Sequence, residues 1–75
     1  MNEPDPARVF ELVDRIRPIL AGNHPAVQGA VLADLLALWL AGHPAEFREA
    51  LMALHIDKAL QLVPINVDAM TRGIE

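Results

Sequence analysis

Seventy-five residues with a formal charge of −4 make a single domain. The acidic balance argues against nucleic acid as a partner, because phosphate binding rests on Lys and Arg, and against an anionic membrane surface for the same reason. With no cysteine, disulfides, zinc–thiolate sites and thiol catalysis are ruled out, and a reducing cytoplasmic setting is the expectation.

The remaining composition points to a shortage of cover. The chain is 53% hydrophobic with a mean hydropathy of +0.28, yet a domain of this size hides only about 60% of its unfolded surface. Packing must be supplemented, and with no disulfide available the natural supplement is another subunit.

The opening residues, "MNEPDPARVF", have neither a basic region nor an apolar core, so no signal peptide is expected. Residues 1–5 read as an N-terminal arm. Asp5 then caps a helix whose first residue is Pro6, where the missing proline N–H is not needed. In helix 1, about 6–21, Val9, Leu12, Val13, Ile16, Ile19 and Leu20 recur at helical spacing and share one face. Glu11 and Arg15 sit at i, i+4 on the other side. Pro18 lies inside the pattern and either kinks the helix or ends it near Arg17.

Leu20 to Ala26 read "LAGNHPA" and Leu40 to Ala45 read "LAGHPA". Glycine just beyond a helix end commonly adopts the left-handed conformation, and proline begins the next helix. Each repeat is thus a stop followed by a start. Gly22 and Gly42 end helices, Asn23 or His24 caps the second helix, and His43 caps the third. The echo is read as one turn chemistry used twice rather than as a duplicated unit.

Helix 2, about 25–41, has no charged face. Its leucines, Val31 and Trp39 cover a wide arc, and Ala26, Ala30, Ala33, Ala37 and Ala41 fill the rest, with Asp34 at their edge. A helix apolar all round is normally buried all round, and two neighbours cannot cover it. The alanine stripe, with Asp34, is therefore the candidate interface: small side chains let the same helix of a second copy approach closely, and two-fold dimers are the commonest assembly. The surplus apolar face of helix 3 is the other candidate seam. As a membrane span the segment is short and interrupted by Asp34, which costs about 2.5–3.5 kcal/mol at a bilayer centre. No membrane association is expected.

Helix 3, about 44–63, carries a broad apolar arc with Phe47, Leu51, Leu54 and Ile56. Pro64 disfavours helix at Val63, so residues 64–75 are expected to be a loose C-terminal tail. The fold class is all-α: a compact three-helix domain over 6–63, assembled as a homodimer.

No catalytic constellation stands out, no cofactor is implied, and the chain is not read as an enzyme. A helix rise of 1.5 Å per residue puts His24 about 27 Å from His43, and His43 about 18 Å from His55, too far apart to share an ion. His55 reads as a histidine at the edge of the core. Asp34 must be paired or open to water. The chain carries no motif that matches a family residue by residue. The function that fits is a small helical protein–protein interaction module, an adaptor, inhibitor or accessory subunit that works through an apolar helix surface and associates with itself. The alternatives are an acidic helix-turn-helix-like DNA-binding regulator, which Glu46 and Glu49 at the start of helix 3 oppose, and a carrier of a small apolar ligand.

Overall fold

The computed structural model describes residues 4–73. These residues form three helices and, among them, no strand: α1 Pro6–Ala21, α2 Pro25–Ala41 and α3 Ala45–Thr71. The chain divides into two compact units, Met1–Leu35 and Leu36–Glu75, and the boundary falls inside α2.

In the first unit, α1 begins where Asp5 accepts a hydrogen bond from the N–H of Ala7 at 3.0 Å. Pro18 is accommodated inside the helix, which neither stops at Arg17 nor gives up its last turn. Proline removes only the bond to the carbonyl one turn back, and the residues after it resume the ladder. On the solvent side Arg8 pairs with Glu11 at 2.6 Å, so the i, i+3 partner takes the place expected of Arg15. At the end of α1, Gly22 has φ −84° and ψ 1°, and the N–H of Asn23 donates to Leu20 O at 3.0 Å. The left-handed turn expected there is not used. Positive φ among the described residues occurs at Gly73 alone (71°).

The second unit contains the end of α2 and all of α3. The helix α3 starts at Ala45 rather than Pro44, and Pro44 occupies the cap position with no side-chain hydrogen bond. It then runs for 27 residues and carries the expected tail as helix up to Thr71; residues 74–75 of that tail lie outside the described residues. Pro64 costs one backbone bond, while Ile65 to Thr71 regain theirs. The last turn is closed by Thr71 Oγ1, which donates to Val67 O at 2.8 Å, and by the Arg72–Asp68 pair at 3.2 Å.

Aligned without a gap, the two helix junctions have the same layout. Residues 21–25 and 41–45 pass through the same sequence of helix end, turn and helix start. Asn23 and His24 thus correspond to His43 and Pro44, which explains why His24 caps a helix and His43 does not. The N–H of Ala26 donates to His24 Nδ1 at 3.1 Å. Asn23 faces the other way: its Nδ2 donates to Ile19 O at 3.1 Å and Leu20 O at 3.3 Å, closing the end of α1. His43, expected as the cap of helix 3, instead binds the carbonyl of Trp39 through Nδ1 at 2.8 Å.

No described residue is buried. Leu20, Gln28, Leu36, Leu40, His43, Leu51 and Ala69 are half-buried, and the other described residues are exposed. The second helix, expected to be wrapped on every side, has no buried position within the single chain.

Candidate functional site

Both junctions are closed by a long side chain from the following helix. In the first unit Gln28 Nε2 donates to Leu20 O at 2.9 Å and to Asn23 O at 3.0 Å. In the second, Arg48 Nε donates to Leu40 O at 3.1 Å and to His43 O at 2.9 Å, and its Nη2 donates to Ala41 O at 3.3 Å. The two side chains reach back over the same separations, eight and five residues. The last carbonyls of a helix lack partners within it, and these donors supply them. Neither residue stands out on a helical wheel. The signal lies in the ungapped alignment of 20–28 with 40–48, which sets a long donor opposite a long donor.

Next to the second junction, Trp39 lies between two imidazoles. Its ring centroid is 4.5 Å from that of His43, tilted by 59°, and 4.3 Å from that of His55, edge to face. The separation of 18 Å expected along helix 3 does not hold. His43 sits in the turn before α3, and the Trp39 ring lies within 4.5 Å of both imidazoles. Because the Trp39 carbonyl can only accept, His43 Nδ1 carries the proton and Nε2 carries the lone pair in the neutral ring. No group of three or more His, Asp or Glu side chains among the described residues could hold a metal ion.

The alanine stripe is open. Ala26, Ala30, Ala33, Ala37 and Ala41 are all exposed, and so is Asp34, which has no hydrogen bond or ion pair with a described residue. Leu32, Leu35 and Leu38 of the same helix are at least half exposed too. Within one chain the partial cover of α2 falls on Gln28, Leu36 and Leu40, and none of it on the alanines.

The prominent feature is the amount of open apolar surface. Twenty-two large apolar side chains of the described residues are 37% exposed or more. They lie on all three helices. On α3 a groove of about 780 Å³ is lined by Ala50, Ala53, Leu54, Ile56 and Asp57, all on one helix, so it is a surface depression and not an enclosed ligand chamber. None of the helices among the described residues is long and apolar enough to cross a membrane. No protein-family model, curated protein or solved structure matches the chain.

Proposed function

We propose that this protein is a small helical interaction module that works as a self-associating subunit, with its apolar helix surfaces as the working part. The observation that carries this reading is the absence of any buried described residue beside twenty-two open large apolar side chains. Open apolar patches beyond a few hundred square ångströms mark partner surfaces.

An identical chain is the partner this reading favours, because two-fold assembly of one chain is the commonest arrangement. Folding and association are then one process, and the stability of the subunit depends on its concentration.

Sedimentation equilibrium at micromolar concentration tests the proposal. The expected result is a mass of twice 8.2 kDa or a higher multiple, with a folded, helical chain. A stable helical monomer of 8.2 kDa at the same concentration overturns it.

A further inference from the structure

The helix α3 is apolar on two opposite sides. At 100° per residue, Leu51 and Ala69, both half-buried, fall on one side. His55, which meets Trp39 of α2, and Arg48, which bonds the α2 carbonyls, lie toward that same side. That side is not closed either, since Phe47, Leu54 and Ile65 beside it are 54–65% exposed, but its row at heptad spacing, Phe47, Leu51 and Leu54, is broken by Lys58 and Gln61. Ile56, Leu60, Val63, Val67 and Met70 form a stripe on the other side, spaced +4, +3, +4, +3. Each is 50–65% exposed. That alternation is the heptad spacing of a coiled-coil seam. The stretch from Ala59 to Val67 contains no charged residue, and Gln61 and Asn66 are its only polar side chains.

We infer that α3 pairs with α3 of a second copy along Ile56, Leu60, Val63, Val67 and Met70; this rests on the self-association proposed above. The charge pattern fits an identical partner. The positions flanking the stripe, Ala59, Pro64, Asn66 and Thr71, are uncharged, and Asp57, the one flanking acid, falls beside an uncharged position of the second copy in either orientation. Proline is tolerated because position 64 flanks the seam and does not enter it. The inference also selects between the two seams open from sequence: alanines offer little area to bury, whereas this stripe offers five large side chains in register.

The absence of native cysteine makes the test direct. Single cysteines are placed in the full chain, and disulfide capture under mild oxidation is followed on non-reducing gels. A parallel pair brings position 63 against itself within disulfide reach, so Val63→Cys links rapidly. An antiparallel pair instead links a mixture of Ile56→Cys and Val67→Cys chains. Either result supports the seam, provided that Ala33→Cys on α2 links at least tenfold more slowly. A charge on the stripe, Leu60→Lys, is expected to weaken association at least 100-fold with Ala33→Lys near wild type. Circular dichroism shows whether each variant stays helical, and the cysteine series holds if Leu60→Lys does not. Ala33→Cys linking as fast as the stripe positions, in a chain that is dimeric by mass, overturns the seam and leaves self-association standing. A monomeric wild type overturns both.

Discussion

Replacing Arg48 tests whether the second junction is held by the contacts described. Its guanidinium meets two carbonyls at the end of α2, Leu40 O at 3.1 Å and, more loosely, Ala41 O at 3.3 Å, and one in the turn that follows, His43 O at 2.9 Å. All are exposed, so water replaces part of what is lost. Two good bonds at the low end of the net range contribute about 0.5 kcal/mol each, and the cation at the negative end of the helix adds about 0.5 kcal/mol. Arg48→Met is therefore expected to cost about 1.5 kcal/mol, a fall in Tm of about 6–12 °C for a domain of this size. Arg48→Gln is expected to cost only about 0.5 kcal/mol, because a glutamine spans the same two separations at Gln28. The assay is urea unfolding followed by far-UV circular dichroism, at one fixed chain concentration because association shifts the midpoint. In 1 M salt the Debye length shrinks to about 3 Å, so the difference between wild type and Arg48→Gln should narrow while that between Arg48→Gln and Arg48→Met persists. Equal losses for the two variants, or no loss for either, would refute the reasoning.

Gly22→Ala is expected to raise stability by about 0.4–1 kcal/mol, since the backbone there is at φ −84° and nothing lies within 4 Å of an added Cβ; a lowered urea midpoint would show that the turn needs glycine after all. Pro64→Ala restores a backbone donor in the middle of α3. Alanine is favoured over proline in a helix interior by about 3 kcal/mol, so the variant should gain helical ellipticity and melt at a higher temperature; a lower melting temperature would count against a helix that continues through this position.

Much of the helix plan can be read locally. The starts at Pro6 and Pro25 and the ends at Ala21 and Ala41 follow from proline in the first turn and from a break after each "LAG". Those signals act within one helical turn, which is the reach of capping and of the backbone ladder. Where a local rule misled, a competing local effect was at work. Glycine at 22 ends a helix without the left-handed conformation, because Asn23 and Gln28 bond the last carbonyls directly. Pro64 failed to stop α3 because its penalty is confined to one turn.

The amino-acid sequence by itself determined three rods, the breaks between them after Ala21 and Ala41, and an excess of apolar side chains over what so short a chain can hide. Those properties depend on near neighbours and on totals, and both are present in the order and kind of residues. Only the three-dimensional structure decided that Gln28 and Arg48 reach back across eight residues and that Trp39 gathers His43 and His55. Each of these depends on the angle at which a helix leaves the turn before it, and the residues that meet there are not neighbours on any one helical face.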